Sequence, residues 1–287
     1  MTHEALSVAP RSAPSLSACG TLVQQGDKAR FLTALFAPEA VQDDLLTLYA
    51  FNLEVAKTKE TVSEPMLGQI RLQWWRETLE AIYAGATPRK HEVVTPLAAV
   101  IRKHTLPQDA FLAVIDGRET DLEVPPPATE AAFAAYVEAT GGQLGRLAGL
   151  ICGADPDHAA RAARAYATLG LLIGLPRRAQ LGRVDLPLDR LGAAGLTARA
   201  IRDGVPSEAL SRLVLDLAAA AEGDLEALGP VPKQGRAALL PATLARRLGA
   251  RLRAAKGDPF QAAAELRARP DGLLPVHLWW AMRKRRL

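Results

Sequence analysis

The sequence predicts an all-α protein folded as one domain. Apolar residues recur at helical spacing from about residue 27 onward, and Ala, Leu and Arg dominate the composition. No alternating apolar and polar run stands between turn signals, so no strand is expected. At 287 residues with 49% hydrophobic side chains, the chain can build a large core without staples. Its two cysteines, Cys19 and Cys152, are too few for a disulfide framework or a Cys-based metal site, which points to a reducing, cytoplasmic setting.

Taken in order, residues 1 to 25 are rich in Ser, Ala and Pro without a period and read as a disordered leader. Residues 26–287 read as the helical domain. Helices are expected at 27–36, 39–60, 65–84, 92–104, 107–121, 129–152, 156–175, 197–202, 206–227, 234–255, 258–268 and 273–284. Pro38 opens one helix, Ser63 with Pro65 opens the next, and Gly85 ends it. The stretch EVPPPATE separates two others, and Pro176 is expected to break the helix that contains it. The N-terminus lacks a basic region followed by an apolar run, and no segment is apolar for about 18 residues, so the chain is expected to be neither secreted nor spanning. A formal charge of +4 favours anionic partners mildly.

The stretch YAFNLEVAKTKETVSE places Leu45, Leu48, Tyr49, Asn52, Leu53 and Ala56 on one stripe, with Glu60 at the next step. Two readings stand. In one, Asn52 hydrogen-bonds a neighbouring helix and Glu60 emerges into water. In the other, the stripe lines a pocket. Gly141, Gly145, Gly149 and Gly153 recur every four residues, for which close helix packing and room for a ligand in a cavity are the competing explanations.

The segments RFLTALFAPEAVQDDLLTLYAFNLEVAKTKE, MLGQIRLQWWRETLEAIYAG, IDGRETDLE, YVEATGGQLGRLAGLICG and GRVDLPLDRLGAAGLT together resemble the squalene and phytoene synthase family. That resemblance implies an isoprenoid-synthase-like helical bundle around a central cavity, in which two prenyl diphosphates join head to head. It also implies two Asp-rich motifs holding Mg²⁺ against the diphosphates, because a hard cation takes oxygen ligands and neutralises the leaving group. Here the first motif is matched by Ala56, Lys57 and Glu60, and an ammonium at Lys57 would repel a metal. The second falls near Arg177 and Arg178 in a shortened LGLLIGLPRRAQLGRVDLP. The implied remnant pocket comprises Tyr49, Asn52, Ala56, Glu60, Arg71, Trp74, Tyr136 and Gly145, with Arg71, Arg177, Arg178 and Arg183 as candidate anion-binding groups. A buried Arg71 would need an acid, for which Asn52, Glu54 and Glu60 offer the nearest polar groups.

The stretch AFNLEVAKTKETVSEPMLGQIRLQWWRETLEAIY is similar to the branch of this family represented by the mitochondrial assembly factor for respiratory complex I. This implies a non-catalytic protein without a cofactor. Its expected partner is a membrane-associated respiratory complex subunit or assembly intermediate, and an isoprenoid or lipid is the ligand such a cavity would take. The alternative is an active prenyltransferase on farnesyl or geranylgeranyl diphosphate, with Mg²⁺ held by Glu60, Asp116 and Asp121. HLWWAMRKRRL closes the chain with Trp279 and Trp280 before Arg283, Lys284, Arg285 and Arg286, a pattern suited to an anionic membrane surface or to a solvated tail. The expected place is therefore cytoplasmic and peripheral on the inner face of the membrane. Nucleic acid is not expected, because aromatics are not spread along a basic groove.

Overall fold

A computed structural model describes residues 16–62, 64–122, 127–205, 207–226, 228, 231–233 and 235–284. Among them there are helices and turns but no strand. The first helix, α1 (Ala18–Gly26), is capped by Ser17, whose hydroxyl accepts from the Gly20 N–H. It lies where a disordered leader is expected, and it buries Cys19 and Val23 against the third helix. The Ser-, Ala- and Pro-rich composition conceals this i, i+4 apolar pair. Residues 1–15 of that leader lie outside the described residues.

Next come α2 (Lys28–Ala34), capped by Asp27, α3 (Glu39–Ala56), entered through Pro38, and the single turn α4 (Thr58–Thr61). Pro65 at the first turn starts α5 (Pro65–Tyr83), and α6 (Val94–His104) and α7 (Gln108–Glu119) follow, α7 running into a 3₁₀ turn at Thr120–Leu122. The expected helix at 129–152 is divided into α8 (Glu130–Val137), a π-turn at Glu138–Gly142 and α9 (Gln143–Cys152). The long α10 (Pro156–Gln180) is capped by Asp155, which accepts from the Asp157 and His158 N–H groups. The rest are α11 (Leu188–Ala193), α12 (Ala198–Arg202), α13 (Glu208–Glu226), α14 (Arg236–Leu239), α15 (Pro241–Ala254), α16 (Pro259–Ala268) and α17 (Leu274–Arg283).

The expected break at Pro176 does not occur, since α10 stays helical to Gln180. Proline removes the N–H that would reach the Leu172 carbonyl. In the same turn the Arg178 guanidinium folds back to donate to the Leu171 carbonyl. Gly174 leaves it room, because a Cβ there would lie 2.7 Å from Arg178 Nη1.

Helix α10 is the hub, touching α9, α13, α15 and α16. Its Ala159, Ala163 and Ala167 meet the glycine row of the π-turn and α9. A Cβ on Gly145 would lie 2.5 Å from both the Ala159 carbonyl oxygen and the Ala163 Cβ, and one on Gly141 would lie 2.7 Å from the Ala167 Cβ. Close helix packing therefore explains Gly141, Gly145 and Gly149, and the Cβ direction of Gly145 meets α10. Gly153 serves differently, ending α9 at a φ of 67°. On the other side of the core, Phe51 of α3 stands edge-on to Trp75 and Phe111, with centroids 5.2 and 5.3 Å away.

These contacts predict opposite outcomes for two substitutions. Gly145→Ala should lower the unfolding free energy by about 1–3 kcal/mol through overpacking. Gly170→Ala in α10, where a Cβ meets nothing within 4 Å, should raise it by about 0.5–1 kcal/mol. Urea unfolding of both variants checks the pair.

Candidate functional site

The pocket-facing stripe of α3 is closed by its own packing. Tyr49 and Asn52 are both buried. Burial pushes the Tyr49 hydroxyl above its ordinary range, although the nearby Arg30 guanidinium opposes the shift. Arg30 lies 5.9 Å from the Tyr49 ring centroid and 5.2 Å from that of Tyr166. Asn52 Oδ1 accepts no hydrogen bond among the described residues, so the expected bond to a neighbouring helix is not made. Ala56 ends α3 half-buried. The Lys57 ammonium does not turn to a pocket: Nζ lies 2.9 Å from where a Cβ on Gly26 would stand, over the C-terminal end of α1.

Arg71 of α5 pairs with Glu54 at 2.6 Å rather than with Asn52 or Glu60. Trp74 turns toward the loop before α6, 5.5 Å from the His91 ring and beneath the Arg89 guanidinium, also at 5.5 Å. Glu60 reaches the second helix of the implied metal pair, where its partner is Arg177 at 3.8 Å. Both side chains are exposed, so this pair contributes little to stability.

Deeper, Arg178 belongs to a linked set of guanidinium and carboxylate groups. Arg178 Nε lies 2.6 Å from Asp185, off the line of a hydrogen bond. Arg183 donates to Asp185 at 3.2 Å and to Asp121 at 2.8 Å. Asp121 also accepts from Arg118 at 3.2 Å and from the Tyr136 hydroxyl at 3.0 Å, while Arg118 donates to the Tyr136 oxygen at 2.9 Å. Burial would raise the Asp121 carboxyl, but Arg118 and Arg183 together hold it below the usual carboxylate range. Burial likewise pushes the Tyr136 hydroxyl up to about 12, against the opposing charge of Arg118. At the exposed edge, Arg76 joins Asp116 at 2.7 Å and Glu119 at 2.6 Å.

A cavity of about 600 Å³ opens beside this set, lined by Asp116, Asp121, Tyr136 and Arg183 with Phe133 and Leu188 among its apolar walls. Of the eight expected pocket residues only Tyr136 borders it. The residues that sequence reasoning missed are Arg76, Arg118 and Asp185. Only the i, i+3 pair of Arg118 and Asp121 was signalled locally, because Arg183 lies 62 positions from Asp121.

The four candidate anion-binding arginines, Arg71, Arg177, Arg178 and Arg183, each lie against a carboxylate. The alternative metal set is not assembled either. Glu60, Asp116 and Asp121 are held by different arginines, and no group of three His, Cys, Asp or Glu among the described residues could hold a metal ion. A divalent cation needs several free oxygens, and here guanidinium donors take them, so these residues do not fit Mg²⁺. At the far end of the chain Trp279 and Trp280 are exposed, whereas Arg285 and Arg286 lie outside the described residues.

Removing the shared carboxylate should be costly. Asp121→Ala leaves the half-buried Arg118 with only the Tyr136 oxygen and Arg183 with only Asp185, and should destabilise the fold by about 1–3 kcal/mol in urea unfolding. Because the folded carboxyl sits below its unfolded value of about 3.9, its contribution is complete above that value and is lost as pH falls through the folded one. Asp121→Asn should therefore flatten the acid limb of the stability profile below about pH 4.

A family model described as squalene/phytoene synthase matches residues 23–279. The Mus musculus NADH dehydrogenase (ubiquinone) complex I assembly factor 6 is 30% identical over 191 residues, covering 64% of this chain and 57% of that protein. The chain thus spans little more than half the length of this relative. The presqualene diphosphate synthase of Zymomonas mobilis is 28% identical over 198 residues, 65% of each chain. Among solved structures, a dehydrosqualene synthase in complex with ligand superposes with a TM-score of 0.78 at 18% identity, over 92% of this chain and 94% of that one. A squalene synthase from Alicyclobacillus acidocaldarius gives 0.72 at 24% identity, over 84% and 94%. These likenesses show the isoprenoid-synthase fold, and with the family match over most of its length the chain belongs to the squalene/phytoene synthase family.

Proposed function

We propose that the chain assists assembly of a respiratory NADH dehydrogenase at the membrane and does not transfer prenyl groups. The observation that carries this reading is the charge at the two implied metal positions: Glu60 meets Arg177, and Arg178 lies against Asp185. Prenyl transfer of the family type needs the departing diphosphate neutralised by metal ions held on free carboxylates. Guanidinium groups that are already paired supply neither the ligands nor a free charge. The similarity to complex I assembly factor 6 supports, as the client, a subunit or assembly intermediate of that complex. No helix among the described residues is long and apolar enough to cross a membrane, so the contact we propose is peripheral, on an anionic inner face.

A second reading, head-to-head coupling of farnesyl or geranylgeranyl diphosphate, is favoured by the likeness to presqualene diphosphate synthase and by a cavity of about 600 Å³. In the first reading the same space holds a lipid or isoprenoid without turnover.

Two experiments separate them. Deleting the gene should lower NADH dehydrogenase activity and the amount of assembled complex in membranes, with complementation restoring both. The purified protein, given either diphosphate with Mg²⁺ and NADPH, should release no diphosphate. Release that Glu60→Ala or Asp116→Ala abolishes would overturn the non-catalytic reading.

A further inference from the structure

The last helix is apolar on two opposite sides. Its inner side carries Leu278 and Ala281, buried with Leu240 and Leu244, and Leu274 and Met282 pack against that cluster. Its outer side carries Val276, Trp279 and Trp280, which are 57%, 45% and 55% exposed, and Leu273 just before the helix is 63% exposed. At about 3.6 residues per turn these positions and Arg283 share roughly one third of the helix circumference. A surface helix ordinarily turns a polar face to water, so one that is apolar on its outer face lacks a partner.

That outer face is held firmly. The Arg236 guanidinium, buried with no carboxylate within ion-pair distance among the described residues, donates to the Met282 carbonyl at 2.8 Å and to the Val231 carbonyl at 2.9 and 3.1 Å. It ties the C-terminal end of α17 to the core.

Along the chain that flanks the face the charge is nearly all of one sign. From residue 267 to residue 284 the only acid is Asp271, and it is turned to Arg247. Arg267 and Arg269 stand exposed before the helix, and Arg283 and Lys284 at its end. The two terminal cations cover the indoles, Arg283 at 3.8 Å from the Trp279 centroid and Lys284 at 3.7 Å from that of Trp280. Paired indoles with aliphatic neighbours and cations at both ends match the boundary between acyl chains and anionic headgroups, where tryptophan is enriched and basic residues meet phosphate.

We propose that α17 is the surface by which the chain lies on an anionic bilayer. Leu273, Val276, Trp279 and Trp280 enter the headgroup boundary, and Arg267, Arg269, Arg283 and Lys284 contact the lipid phosphates. This rests on the peripheral placement proposed above, but not on the identity of the client.

The test is co-sedimentation of the full chain with vesicles of phosphatidylcholine alone or of equal parts phosphatidylcholine and phosphatidylglycerol. The anionic vesicles should bind at least about tenfold more tightly, and added salt should weaken them. Trp279→Ser with Trp280→Ser should abolish binding while circular dichroism shows the fold retained, and Arg283→Glu with Lys284→Glu should remove the preference for anionic lipid. In the wild-type chain, brominated lipids should quench tryptophan emission, and the double serine variant should lose that quenching.

No binding to anionic vesicles at low salt would overturn the proposal, as would binding that both variants retain. A dimer in light scattering that the double serine variant dissolves would assign the face to a second copy instead. The vesicles contain no client, so failure here and failure of the assembly reading are read separately.

Discussion

One buried carboxylate holds together the parts of this fold that a synthase would use for chemistry. Asp121 sits just beyond α7 and accepts from Arg118 in α7, Tyr136 in α8 and Arg183 in the turn after α10. Three separate elements therefore share one side chain as a polar partner. A buried ion pair is weak evidence for stability, since desolvating the charges offsets most of their attraction. Its consequence here is organisational, because the acid is the one group that joins Arg118, Tyr136 and Arg183 to a common point.

The same arrangement bears on function. Carboxylates that would be free to bind a metal are engaged by arginines, and arginines that would be free to bind phosphate are engaged by carboxylates. In the linked set Arg118, Arg178 and Arg183 share Asp121 and Asp185, so most of its charge is compensated internally. The cavity beside it is walled by Phe133, Leu188 and several alanines, which suits an apolar occupant better than a diphosphate.

Much of the fold was legible in the sequence because helical periodicity and its punctuation are local signals. Pro65, Asp155 and Gly153 mark their helix ends where the spacing places them. Two local signals misled. The composition before residue 26 hides α1, and Pro176 suggests a break that α10, packed on four neighbouring helices, does not make. The site was harder to read, since its partners are distant in sequence. Nothing near Arg178 announces Asp185 as its neighbour rather than a phosphate, and nothing near Gly145 shows that the space beside the glycine row is already filled by the alanines of α10. A row of residues on one helix face establishes a shared direction but leaves open whether the facing helix has closed the space.

The chain thus keeps the family fold while Arg177 and Arg178 stand where the resemblance implies the acids of a second metal site. On the reading proposed above the outer surface carries the function, since binding to a client or a membrane needs a rigid scaffold and no turnover. The most direct check is calorimetric titration of the purified protein with a non-hydrolysable farnesyl diphosphate analogue, with and without Mg²⁺. The account predicts that Mg²⁺ leaves the affinity unchanged. A Mg²⁺-dependent tightening of about tenfold or more, worth about 1.4 kcal/mol, would mean that a metal site survives and would contradict it.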